Sequence, residues 1–175
     1  MLVVLQLISL SFLDPTMAYA VSPAQARDLL VQEGPMTQNP PIEISWEQLR
    51  RAAQDAKSRA YAPYSQHPVG AAALTNTGRI VSGCNVENAS YGITLCAECG
   101  LVSELIKTSA TGSKETLIAF ACVGPHPGPL LPCGRCRQLL MEHADPSLLI
   151  DTERGPSLLT DLLPFAFGPK DLPNS

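Results

Sequence analysis

"LCAECG" (residues 95–100) and "PCGRCR" (132–137) each hold two cysteines separated by two residues. Two such pairs in one chain ordinarily give four thiolates to one structural zinc. Here 33 residues separate the pairs, against about 15–20 in a zinc ribbon. Glu98 also stands inside the first pair, where four thiolates would already carry excess negative charge. Three sulfurs would instead leave zinc one position for water, as a catalytic site requires. A carboxylate beside that water could then carry protons. Spacing alone permits either reading, because Cys99 follows Cys96 as Cys136 follows Cys133, and residues three apart share a helix face.

Each pair is expected to open a helix, one over about residues 96–110 and one from about Cys133 to His143, with Pro132 just ahead of the second. Helix starts present unpaired N–H groups and partial positive charge, which lower the pKa of a thiol placed there. Two helix starts aimed at one point would bring Cys96, Cys133 and Cys136 into a three-sulfur cradle. Zinc with three thiolates keeps a net negative charge. Arg135 and Arg137 are candidates to offset it, although Arg137 reads equally well as a solvated surface charge. A reversible redox role for the CxxC pairs fits poorly, since both would need accessible disulfides.

The rest of the chain reads outward from these helices. "ISWEQLRRAAQDAKSRAYAPYS" (44–65) predicts a helix with Ser45 as N-cap, Gln48 completing a capping box and Pro63 as the stop. Trp46, Leu49, Ala53, Ala56 and Ala60 form its apolar stripe, and the alanines imply close packing on a sheet. "VGAAALTNTGRIVSGCNVE" (69–87) predicts a hairpin turning at 76–78. "TLIAFACVG" (116–124) predicts a buried strand, "SLLIDT" (147–152) another, and the segment after it a short helical turn and a tail. Cys84 and Cys122, in apolar runs, read as small buried hydrophobes. The order α-β-β-α-β-α-β indicates one layered α/β domain with a mixed sheet.

Composition narrows the partners. The chain has 175 residues, 45% apolar and 16% charged, with net charge −4. No basic cluster exceeds Arg50-Arg51, and aromatics are only 5%, so neither phosphate tracking nor base stacking on single strands is supported. A small ligand fits better than nucleic acid. The apolar run at 2–13 is too short to span a membrane and lacks a preceding basic residue, although "AYA" (18–20) resembles a signal-peptidase site. Residues 1–42 read as a disordered leader or a mis-assigned start, with the domain over 43–172. Thiolate zinc suits a reducing compartment, hence the cytoplasm.

"CAE" followed by "PCGRCRQ", with "NVEN" (85–88) upstream, resembles the cytidine deaminases of the small homotetrameric, three-cysteine zinc type. "YAPYSQHPVGAAAL" (61–74), "GCNVENASYG" (83–92) and "LLPFAFGPKDL" (162–172) resemble further blocks of that family, in order. The resemblance implies a three-layer α-β-α fold around a mixed sheet of about five strands. It implies hydrolytic deamination of cytidine and 2'-deoxycytidine in pyrimidine salvage, with Zn2+ on Cys96, Cys133 and Cys136 and Glu98 as proton shuttle. Asn85 and Glu87 would hold ribose hydroxyls. Val86, Asn88, Ala89, Ser90 and Tyr91 would complete the substrate loop, and the Ala97 backbone would meet the pyrimidine. Tyr91 and Phe167 would reach active sites shared across subunits of a homotetramer. Two positions depart from the pattern. Cys99 replaces an arginine that helps balance the thiolates, and His67 stands where a phenylalanine is expected. A deaminase of another cytosine-bearing substrate and a non-enzymatic four-cysteine module remain the alternatives.

Overall fold

Ser45 caps the first helix, α1 (Trp46–Lys57), its hydroxyl accepting from the Gln48 N–H at 3.4 Å. The structure is a computed structural model that describes residues 42–173, so the expected leader lies outside the described residues but for Ile42. The Gln48 side chain does not complete the expected capping box. The helix also ends well before Pro63. Ser58 Oγ donates to the Asp55 carbonyl at 2.6 Å, and the Arg59 and Ala60 N–H groups bond three residues back, tightening the chain out of the helix. By Tyr61 the backbone is already paired with Asn85 and Glu87.

Five strands follow: β1 (Gly70–Thr75), β2 (Ile80–Cys84), β3 (Leu117–Val123), β4 (Ala144–Ile150) and β5 (Ser157–Leu158). The sheet order is β2-β1-β3-β4-β5, antiparallel throughout except where β3 and β4 run parallel. A parallel pair needs a crossover, and α3 (Gly134–His143) supplies it. Helix α2 (Ala97–Thr108) links β2 to β3, and a short α4 (Leu159–Leu162) follows β5. β4 starts earlier than "SLLIDT" suggested, and the two-residue β5 was too short to announce itself in the sequence.

The central strand β1 is buried along its whole length. Ala72 and Leu74 face α1 with Leu49 and Ala53. Ala71 and Ala73 face the other way, onto a core with Leu101, Leu105, Phe120 and Leu140 from α2, β3 and α3. The expected three layers are therefore present, α1 on one face and α2 with α3 on the other. A bidentate pair fastens the first layer to the sheet, Arg50 Nε and Nη2 donating to the buried Asp151 carboxylate at 2.7 and 2.8 Å.

One glycine decides where the CxxC helix sits. A Cβ on Gly83 would lie 2.3 Å from the Leu101 backbone N and 2.4 Å from the Ala97 carbonyl oxygen. Opposite it, a Cβ on Gly100 would meet nothing closer than 3.6 Å. Gly83→Ala is expected to push the first turn of α2 away from β2 and to destabilise by about 3 kcal/mol, the upper range for overpacking. Gly100→Ala is expected to be neutral or to stabilise by up to about 1 kcal/mol, since alanine favours a helix interior. Paired thermal or urea melts check the contrast, and equal melts would refute it.

Candidate metal and catalytic site

Cys96 is the N-cap of α2 and Cys133 the N-cap of α3, and the Cys96 side chain does not cap its helix. Cys136 lies in the first turn of α3 and is fully buried. Each of these three sulfurs lies within 4.8 Å of the others, the only such group of metal-binding side chains among the described residues. Cys99 is outside it. Its sulfur accepts instead from Arg135 Nη2 at 3.7 Å. All six cysteines are free thiols.

Glu98, in the first turn of α2, is only 4% exposed. It lines a cleft of about 300 Å³ together with Cys96, Ala97 and Cys133. The expected fall in thiol pKa holds at Cys133, where hydrogen bonding from the Cys136 N–H dominates. It does not hold at Cys96, where burial wins and pushes the thiol up. Burial, then the Glu98 charge, also pushes Cys136 up. Three soft sulfur donors held together, two of them pushed up by burial and by the neighbouring Glu98 charge, are a set that a borderline-soft dication satisfies. The residues therefore fit zinc.

The substrate loop divides. Asn85 is 9% exposed and lines the metal cleft. Its Oδ1 accepts from the Val69 N–H at 2.8 Å and its Nδ2 donates to the His67 carbonyl at 3.0 Å, which leaves one amide hydrogen for a ligand. Glu87 and Tyr91 line an adjoining cleft of about 330 Å³, and Thr94 lines both clefts. The Glu87 carboxylate accepts from the Tyr64 and Ser65 N–H groups and the Ser65 hydroxyl. These bonds, the hydroxyl foremost, hold its pKa below the usual value and keep it a charged acceptor. Val86 spends its backbone on a bridge to Leu95. Asn88, Ala89 and Ser90 are exposed and line neither cleft. Tyr91 is 75% exposed and stacks obliquely on Tyr64, ring centres 6.1 Å apart. Phe167 is 59% exposed and also lines neither cleft.

The residue range 44–151 matches the family model described as the cytidine and deoxycytidylate deaminase zinc-binding region. The chain belongs to this family. It is 54% identical over 131 residues to a cytidine deaminase of Mycobacterium tuberculosis, covering 75% of this chain and 96% of that one. It is 37% identical to a cytidine deaminase of Sporosarcina psychrophila, over 72% of this chain and 93% of that one. The crystal structure of the M. tuberculosis cytidine deaminase superposes with a TM-score of 0.67 at 53% identity, covering 72% of this chain and 99% of that one. That of Burkholderia pseudomallei gives 0.60 at 42%, covering 71% and 100%. The deaminase fold and zinc as cofactor accordingly apply to this chain.

The sequence reading missed part of the cleft wall of this deaminase: Val69, Thr94, Cys122, Leu130 and Leu131. Cys122 is buried as expected but faces the cleft, beside Ala71 on the α2 side of the sheet. Its apolar run showed that it is buried, while the side it faces follows from register. Cys84 is only half-buried. "PLLP", just ahead of the second cysteine pair, was the one available signal for Leu130 and Leu131.

Proposed function

We propose that this protein deaminates cytidine and 2'-deoxycytidine to uridine and 2'-deoxyuridine, with water consumed and ammonia released. The observation that carries the reading is the convergence of the Cys96, Cys133 and Cys136 sulfurs beside a buried Glu98, with Cys99 bonded elsewhere. Those three thiolates would hold zinc. Zinc bound there supplies a Lewis acid that lowers the pKa of water from about 15.7 towards 7.

Glu98 handles the protons. Its carboxylate takes one from the attacking water and delivers it to N3 of the cytosine, then takes the proton of the hydroxyl now on C4 and passes it to the departing amine as the C4–N bond breaks. Burial suits this role because few waters compete for the proton. Ala97 is the first residue of α2, so its N–H has no intrahelical partner and is available to the pyrimidine. Asn85 donates its remaining amide hydrogen to one ribose hydroxyl, and the Glu87 carboxylate accepts from another. Neither Tyr91 nor Phe167 lines the cleft beside Glu98, and both are exposed. Both rings are therefore open to partner copies, as the proposed homotetramer requires, with Tyr91 beside the Glu87 cleft. Residues 43–172 would form the catalytic unit. Free thiols support a reducing, cytoplasmic setting, and the nucleoside products fit a place in pyrimidine salvage. No helix among the described residues is long and apolar enough to cross a membrane.

Turnover of cytidine, 2'-deoxycytidine, free cytosine and single-stranded DNA tests the reading. Both nucleosides are expected to release ammonia. Free cytosine is expected to be worse by on the order of 10³-fold or more, because a site built for hydroxyls rejects ligands without them. Preferential deamination of the DNA would overturn the assignment in favour of a polynucleotide substrate.

A further inference from the structure

Two residues directly after the ligand Cys136, Arg137 and Gln138, grip the C-terminal tail. Arg137 Nε donates to the Pro132 carbonyl at 2.9 Å and its Nη1 to the Leu162 carbonyl at 3.0 Å. One guanidinium thus joins the residue before Cys133 to the last residue of α4. It is a built link rather than the free surface charge the sequence allowed. Gln138 Nε2 donates to the Phe167 carbonyl at 2.8 Å. Between the two anchors the chain bends through Phe165, which has φ 56°, a left-handed conformation that a bulky residue adopts at a cost. Beyond Phe167, the Gly168 N–H donates to the Asp171 carboxylate at 2.8 Å and closes a turn. The Phe167 backbone is therefore pinned on both sides while its ring stands out from the surface.

We infer that Gln138 is a positioning residue for the reaction: it fixes the Phe167 backbone to the helix that carries Cys133 and Cys136, so that the ring is held ready for the base in a partner's pocket. The inference rests on the proposed role of Phe167. Without the bond, the tail must be ordered afresh each time substrate binds, so the loss falls on substrate binding and not on the proton transfers at Glu98.

Kinetics of Gln138→Ala, Phe167→Ala and the double variant test it. Gln138→Ala is expected to raise KM for cytidine roughly 5-fold, about the worth of one neutral hydrogen bond, with kcat and zinc content little changed. Gln138→Lys, which keeps a donor of similar reach, is expected to restore KM, and this separates lost positioning from damaged folding. In the Phe167→Ala background, removal of Gln138 is expected to add nothing, because the two act through one element. An unchanged KM in Gln138→Ala, or an equal rise with Phe167 already absent, would overturn the inference while leaving the role of Phe167 intact. An unchanged KM in Phe167→Ala would instead overturn the role of Phe167 itself, and the inference with it.

Discussion

Glu98→Gln is expected to retain zinc and to lose about three orders of magnitude in kcat for cytidine, within the range that general acid–base catalysis supplies. The substitution keeps the shape of a side chain that is 4% exposed, so packing around the first turn of α2 should survive. The amide cannot accept the proton of the attacking water or return it to the base, so every proton transfer in the sequence fails together. Loss should therefore appear in kcat, with KM changed far less. Zinc analysis of the purified variant beside steady-state kinetics checks both halves. A variant that loses its metal would show that the carboxylate is a ligand, and the role given to it here would be wrong.

The second large effect separates two cysteines three residues into their respective CxxC pairs. Cys136→Ala removes a fully buried sulfur from the group of three. Zinc affinity should fall by more than the roughly 10–100-fold typical of losing an outer partner of a ligand, and turnover with it. Cys99→Ala removes only the acceptor of the 3.7 Å bond from Arg135. It should keep zinc and stay within about threefold of wild-type activity, as expected for one weak, partly exposed bond. Equal metal loss in the two variants would favour the four-cysteine module.

These expectations stand on features that the sequence displays unevenly. The helix starts at Cys96 and Cys133 are legible because each pair is followed by a helical run, and Pro132 marks the second start. Glu98 is legible because a carboxylate inside a cysteine pair suits proton transfer and not a closed knot. The buried β1 is legible from an unbroken apolar run, but its alternation between two cores is set by register with β2 and β3. The cleft wall is harder, because Val69, Cys122 and Leu130 come from separate segments that only the sheet brings together. The same limit applies to the thiol at Cys96. A helix start lowers a thiol pKa and burial raises it, and the sequence shows the first effect without the extent of the second. The early end of α1 has a comparable origin. Tyr61 leaves the helix to pair with residues 85–87, a long-range bond that no local signal announces. Arg137 likewise looks like one more surface charge until its two carbonyl partners, 132 and 162, are seen side by side.

The number of sulfurs on the metal separates an open, hydrolytic zinc from a closed structural one. X-ray absorption at the zinc edge of the full-length, zinc-loaded protein measures that number directly. The expected spectrum has three sulfur neighbours at about 2.3 Å and one lighter oxygen neighbour closer in, at about 2.0–2.2 Å. Four sulfurs at the longer distance, with no oxygen, would mean that Cys99 closes the site, and hydrolysis at this centre would be contradicted.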